Sequence, residues 1–237
     1  MSLEKKTRMS VVIPTCNRYD VALQNVANIL KQSMKGFDVI VCDDSDLSYK
    51  SFHSKDFCKK LKMMRASYQY CARFREDGSK EYGLARARNI GVLESKGDVV
   101  LFLDDRITPV ADDAFQIMHS ELLSRGRKTW VYGNKGSDKK IFVENFSAVR
   151  RCDIIEAGMF CERVDQYGGA TREIIARMTA QGFSFLYASS AQARPICPSS
   201  GWEKKPRQIK SMDALLVKMW GTSFNDHFPK LFRNSST

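Results

Sequence analysis

The sequence predicts an α/β fold with a mostly parallel central sheet flanked by helices, and three observations carry that expectation. Short apolar runs at Ser10–Pro14, Phe37–Cys42 and Asp98–Leu103 are rich in β-branched residues and stop abruptly in polar turns. Between them, apolar residues recur at helical spacing. The resulting order of strand, helix and strand implies parallel neighbours joined by right-handed crossovers.

Taken in order, Ser10–Pro14 reads as a buried strand stopped by proline, and Thr15 to Arg18 as the loop after it. Val21, Leu23, Val26, Ala27, Leu30 and Met34 mark a helix that Asp20 would cap and Gly36 would close. Phe37–Cys42 is the next strand and runs into the acidic turn Asp43 to Asp46. A loop and helix are expected over 47–62, and a third strand within 63–70. Tyr82 to Leu93 is expected as a helix. Because Arg86 and Arg88 lie two residues apart, one is expected to face inward, Arg88, and the other outward. Asp98–Leu103 gives the clearest strand, ending in Asp104-Asp105-Arg106. A helix over 112–124, strands near Trp130 and Ile141 to Val143, a helix over 170–181 closed by Gly182, a strand over 183–188 and a short amphipathic helix over 214–220 complete the expectation.

The chain has 237 residues, enough for one substantial core. No apolar run approaches the roughly 18–20 residues of a membrane-spanning helix, and the charged residues 1–8 read as a short tail with no signal-peptide pattern. Seven cysteines without CxxC spacing point to buried reduced thiols of a cytoplasmic protein rather than zinc ligands or a disulfide framework. The three histidines are widely separated and show no ligand spacing. A formal charge of +11 favours an anionic partner. The basic residues are scattered and accompany no zinc-finger or RNA-recognition motif, so nucleic acid is not expected.

Ligands of open α/β sheets bind beyond the carboxyl ends of the strands, and three polar loops fall on that edge here: Thr15 to Arg18, Asp43 to Asp46 and Asp104 to Arg106. Four segments, Val11 to Arg18, Val39 to Ser45, Gly83 to Gly91 and Lys96 to Asp105, together resemble the family 2 inverting glycosyltransferases in order and spacing, over roughly the first 110 residues. A weaker resemblance runs from about Phe160 to Ala191. It implies a GT-A fold and a nucleotide-sugar donor, UDP-linked by preference, with a divalent Mn or Mg ion. Pro14, Thr15 and Arg18 would line the nucleotide pocket; Asp43 would take the base edge and Asp44 support its loop. Arg88 and Asn89 would sit near the diphosphate and sugar, and Asp104 would contact the ribose or donor sugar.

The sequence departs from that family at two positions. The acidic triplet of form Asp-x-Asp, whose last carboxylate binds metal in the family, ends here in Arg106. Either Arg106 replaces the metal charge, offering fixed donors to phosphate oxygens, or Asp105 alone keeps a metal site, or activity is lost. The family's Gly-Glu-Asp-x-Asp segment, which supplies the general base, reads Gly168-Gly169-Ala170-Thr171-Arg172-Glu173 here. Glu173, Asp165 and Glu162 are the replacement candidates, each with an ordinary surface charge as the competing reading.

The expected organisation is a tail (1–8), a GT-A domain (9–200, with a nucleotide-binding half over 9–110 and an acceptor half over 111–200) and a basic extension (201–237). The expected function is glycosyl transfer to a glycan, lipid-linked or protein hydroxyl. The rival is a degenerate relative that binds nucleotide or glycan without turnover; a nucleotidyltransferase ranks below both, since the Pro14 to Arg18 loop lacks glycine. Trp202, Lys204, Lys205, Arg207, Lys210, Lys218 and Trp220 either touch a membrane face, cover an acceptor groove or form a plain packed helix.

Overall fold

The computed structural model describes residues 8–136, 142–164, 169–197 and 214–219. Eight strands form one sheet in the order β3-β2-β1-β4-β7-β6-β8-β5. They are β1 (Met9–Thr15), β2 (Asp38–Asp43), β3 (Ser67–Tyr70), β4 (Val99–Leu103), β5 (Ile107–Pro109), β6 (Thr129–Asn134), β7 (Phe146–Arg150) and β8 (Ser184–Pro195). The helices are α1 (Tyr19–Ile29), α2 (Leu47–Met63), α3 (Leu84–Glu94), α4 (Ala114–Leu123), α5 (Arg151–Glu156) and α6 (Gly169–Ala180). Strands β3, β2, β1 and β4 are parallel. The other half is mixed: β7 runs antiparallel to both β4 and β6, and β8 pairs parallel with β6.

The sheet is covered on both faces, which is why its first strands read as unbroken apolar runs. Val11, Ile13, Val39, Val41, Leu101 and Leu103 point to the layer of α1, α2 and α4. Val12, Ile40, Cys42, Val100 and Phe102 point to the layer of α3, α5 and α6. The chain steps from β1 outward to β3 and then returns through α3 to β4 on the other side of β1. The strand order therefore reverses at β1 and β4, and the crevice beyond their carboxyl ends is where such sheets bind ligands. At Gly91, α3 presses directly on β1, since a Cβ there would lie 2.2 Å from Val12 Cγ1.

Several expected elements are corrected. Helix α1 ends at Ile29 rather than running on to Met34. Gln32 draws the chain away, donating to Ala111 O (2.8 Å) and accepting from Phe115 N (3.0 Å), while Ser33 N donates to Asp112 O. Asp20 lies in the first turn of α1 and makes no cap; the N-cap is Arg18. Phe142 and Val143 are not a strand: Phe142 is buried against Trp130, Tyr132 and Phe185. The pairing strand is β7, one turn later. Arg86 and Arg88 are both buried, at 4 % and 1 % exposure, because the 71–83 segment covers one flank of α3 and the 142–162 segment the other. All seven cysteines are free. Residues 214–219 are helical, with Leu216 buried beside Val164, Ala170 and Ala176. Trp202, Lys204, Lys205, Arg207, Lys210 and Trp220 lie outside the described residues.

Candidate active site

The three strand-end loops are tied into one wall. Thr15 ends β1, and its hydroxyl donates to Asp105 Oδ2 at 2.8 Å. Arg18, at the mouth of α1, reaches the same carboxylate in a fork, Nε to Oδ2 at 2.9 Å and Nη2 to Oδ1 at 3.0 Å. Asp44 N donates to Thr15 O (2.8 Å), joining the β1 and β2 loops. Asn17, whose left-handed φ of 54° asparagine tolerates, receives Asp46 N and donates back to the Asp46 carboxylate. Asn25 donates to Asp104 O and Ile107 O, holding the β4 loop from below.

The acids of this wall are largely spent on it. Asp43 is fully buried and accepts from the hydroxyls of Tyr19 (2.5 Å) and Tyr68 (2.7 Å) and from Ser45 N (2.9 Å). Burial and the Asp43 carboxylate push both tyrosine hydroxyls well above their ordinary range. The Asp43 carboxylate, expected at the base edge, thus sits fully buried among these three donors. Asp44 receives Lys80 Nζ (3.0 Å) and Gly83 N (3.1 Å), with Arg86 Nη2 at 3.9 Å. Gly83 is required there, since a Cβ would lie 2.1 Å from Asp44 Oδ1. Burial raises the Asp44 and Asp105 carboxyls above their ordinary values, against the pull of Lys80 and of Arg18 respectively. For the more exposed Arg18 the balance reverses: burial lowers it, and attraction to Asp105 more than restores it.

A second polar cluster lies beside the first. Arg88 Nη2 donates to Asp104 Oδ1 at 3.2 Å and Nη1 to Glu144 Oε1, beneath the ring of Phe160. The other Glu144 oxygen accepts from the Thr171 hydroxyl at 2.5 Å. Lys135 Nζ donates to Asn145 Oδ1 at 2.6 Å, and burial holds it below the ordinary lysine range against the attraction of Glu144 and Asp104. Burial alone would raise Glu144, but Arg88 and then Thr171 outweigh it and hold the carboxyl below its ordinary value. Glu144 carries no local sequence signal beyond being an acid between Phe142 and Phe146, and the sequence reading missed it.

The remaining candidates divide. Pro14 is buried at the end of β1, and Arg106 is partly exposed on the β4 loop, where its backbone carbonyl accepts from Ile196 N. Among the described residues, the Arg106 guanidinium makes no ion pair. Asn89 is committed to Phe160, donating to its carbonyl and accepting its N–H, both at 2.9 Å, so it braces a loop. Glu173 faces inward at 2 % exposure, and each of its oxygens accepts from Arg177 (2.7 and 3.1 Å). Glu162 binds Asn89 and Arg73. Asp165 lies outside the described residues.

A divalent ion does not fit these donors. Both Asp105 oxygens are held by Arg18 and Thr15, Asp104 shares one oxygen with Arg88, and the third position of the triplet is a cation. No group of three or more His, Cys, Asp or Glu side chains suited to a metal occurs among the described residues. The Asp105 carboxylate, the expected metal ligand, is here engaged by Arg18 on both oxygens and by Thr15 on one. A cavity of about 280 Å³ lined by Lys128, Asp153 and Phe183 opens at the starts of β6 and β8, the opposite edge of the sheet, and takes no part in this site.

Two solved structures share this architecture. A mannosyltransferase from Pyrobaculum calidifontis, in complex with GDP-Man and Mn²⁺, superposes with a TM-score of 0.69 at 16 % identity, over 91 % of this chain and 65 % of its own. GalNAc-T7, with UDP, GalNAc and Mn²⁺, gives 0.70 at 17 %, over 94 % and 50 %. This is the GT-A fold of glycosyltransferases. Residues 10–113 match the family described as Glycosyl transferase family 2. An uncharacterized glycosyltransferase of Rickettsia bellii is 32 % identical over 118 residues, half of this chain but 14 % of that protein. The poly(ribitol-phosphate) beta-N-acetylglucosaminyltransferase TarP of Staphylococcus aureus is 28 % identical over 167 residues, 65 % of this chain and 46 % of its own. The chain thus spans less than half the length of these two relatives. The matched family and the named relatives are glycosyltransferases. The family 2 match covers β1 to β4 and their loops, which build the wall described above; Glu144 and Thr171 fall outside it.

Proposed function

We propose that this GT-A chain transfers a sugar from a nucleoside-diphosphate sugar, UDP-linked by preference, to a hydroxyl of a glycan, lipid-linked or protein acceptor, with inversion at the anomeric carbon. The observation that supports it is the joining of the Thr15, Asp44 and Asp105 loops at the reversal of strand order, with Arg88 bridging Asp104 and Glu144 alongside. In this reading the nucleotide lies against the β1 and β2 loops. Arg18 and Arg106 present guanidinium donors to the diphosphate, whose leaving charge they stabilise in place of an ion. Thr171 stands on the acceptor side with the Glu144 carboxylate behind it, and an acceptor proton passing to that pair meets an anion held ready by Arg88.

A thermal-shift screen of UDP-, GDP- and CMP-sugars, with and without manganese, tests binding, because a ligand specific to the folded state raises the melting temperature. Transfer or donor hydrolysis is then measured with and without EDTA. Turnover unaffected by EDTA supports the arginine arrangement, and turnover abolished by EDTA sinks it. A second reading, a degenerate relative that binds without turnover, is favoured by Thr171 at the family's base position and by Asp105 being fully engaged. Nucleotide binding with no turnover of any donor selects it.

A further inference from the structure

We propose that the outward face of α2 docks this protein on an anionic lipid bilayer. Helix α2 packs inward through Phe57 and Leu61. Directly opposite runs the stripe Phe52, Lys55, Lys59 and Met63, at spacings i, i+3, i+7 and i+11 that keep it on one side of a helix. Phe52 is 85 % exposed and Met63 76 %, the two largest exposures among the large apolar side chains described. At 1.5 Å per residue they stand about 16 Å apart along the axis, with exposed Lys55, Lys59 and Lys62 between or beside them. Arg65 adds a further cation just past the helix end; Asp56, the one acid within the helix, is paired with Lys60 at 2.6 Å. The surface is therefore apolar at two points and carries a net positive charge between them.

That combination suits a bilayer better than the alternatives. A polyanion would satisfy the lysines and leave Phe52 and Met63 in water. A peptide partner needs a groove, whereas the outer meridian of a helix is convex and meets a plane. A lipid interface takes both features at once: apolar tips enter the acyl boundary while lysine stems lie along it with their ammonium groups at the phosphates. The helix starts one residue after Asp46, so the docked face lies beside the cleft and leaves the strand-end loops open. The stripe is distinct from the basic C-terminal extension. It contains no residue of the candidate site, so the inference stands whether or not sugar transfer is shown.

The test is cosedimentation of the full chain with phosphatidylcholine vesicles containing no phosphatidylserine or about 30 %. Binding is expected only to the anionic vesicles and is expected to weaken as salt rises from about 0.1 M to about 0.5 M. Lys55→Gln/Lys59→Gln/Lys62→Gln should lower partitioning about 100-fold, at roughly fivefold per lysine. Phe52→Ser/Met63→Ser should lower it about tenfold or more while leaving heparin binding unchanged. All five positions are exposed, and circular dichroism confirms that each variant folds. Failure of the wild type to bind anionic vesicles overturns the proposal, as does equal binding to neutral ones. Retention of vesicle binding by the Phe52→Ser/Met63→Ser variant also overturns it, and identifies the face as a polyanion site or assigns the binding to the C-terminal extension.

Discussion

Replacing Arg88 by methionine tests whether the buried charges of the cleft neutralise one another. Arg88 is 1 % exposed and divides its guanidinium between Asp104 and Glu144, itself 3 % exposed. Without it, Glu144 keeps the Thr171 hydroxyl, a hydrogen bond from its own backbone N–H and the field of Lys135. Breaking a buried pair by removing one partner costs about 3–5 kcal/mol. At about 2–4 °C per kcal/mol for a chain of this size, Arg88→Met is expected to melt about 6–20 °C below wild type at neutral pH. The pH dependence carries the sign. In the wild type Glu144 lies below its ordinary value, so its contribution is full above the unfolded carboxyl pKa and is lost as pH falls through the lowered one. In Arg88→Met, burial is opposed by less and the carboxyl rises, so protonation favours the folded variant and its deficit shrinks on mild acidification. Glu144→Gln added to Arg88→Met should restore at least about 1 kcal/mol, measured as the coupling in a double-mutant cycle by urea unfolding. Strict additivity, or a deficit constant between neutral and mildly acidic pH, would refute the reasoning.

Tyr68→Phe removes one of three donors to the buried Asp43 carboxylate and is expected to cost about 1.5–3 kcal/mol in urea unfolding, the range for hydrogen bonds to charged groups. Gly83→Ala drives a methyl into Asp44 Oδ1 and should cost about 1–3 kcal/mol; on the proposed function it should also reduce the melting shift produced by UDP, since that carboxylate anchors the loop after β2. Glu173→Gln is expected to lower stability by about 1–3 kcal/mol through the lost Arg177 pair and to leave the pH profile of any turnover unmoved; a shifted profile would return Glu173 to the chemistry.

The parts of the fold legible in the sequence are those whose neighbours are local. β1, β2 and β4 are buried on both faces and end in polar turns, and both properties appear as runs in the chain. Glu144 was not legible because its meaning comes from Arg88, 56 positions earlier, and Thr171, 27 later. The expectation that only one of Arg86 and Arg88 faces inward followed from helix geometry with one buried face. It failed because α3 is covered on two flanks, and each arginine has its own carboxylates, Glu81 and Asp44 for one, Glu144 and Asp104 for the other. The end of α1 was set by Gln32 reaching Ala111 and Phe115, hydrogen bonds that no helical periodicity contains.

The acids at the strand ends also change how Arg106 is to be understood. In a metal-using cleft, carboxylates hold the ion and the ion holds the diphosphate. Here Asp105 holds Arg18, Asp104 holds Arg88 and Asp44 holds Lys80, so each of these three carboxylates already faces a cationic side chain. A carboxylate at position 106 would meet a neighbour that already accepts from Arg18 and Thr15, and Asp105 could join it on an ion only in competition with Arg18. Arg106→Asp alone is therefore expected to lower turnover about 10²–10³-fold, the usual cost of losing a charge-stabilising donor, without making the residual activity depend on manganese. Arg106→Asp combined with Arg18→Ala frees Asp105 and is the variant expected to bind Mn²⁺, measured by calorimetry without any donor. If Arg106→Asp alone binds the ion as tightly as the double variant, the Arg18 clamp on Asp105 is not what excludes it, and the charge exchange argued here is wrong.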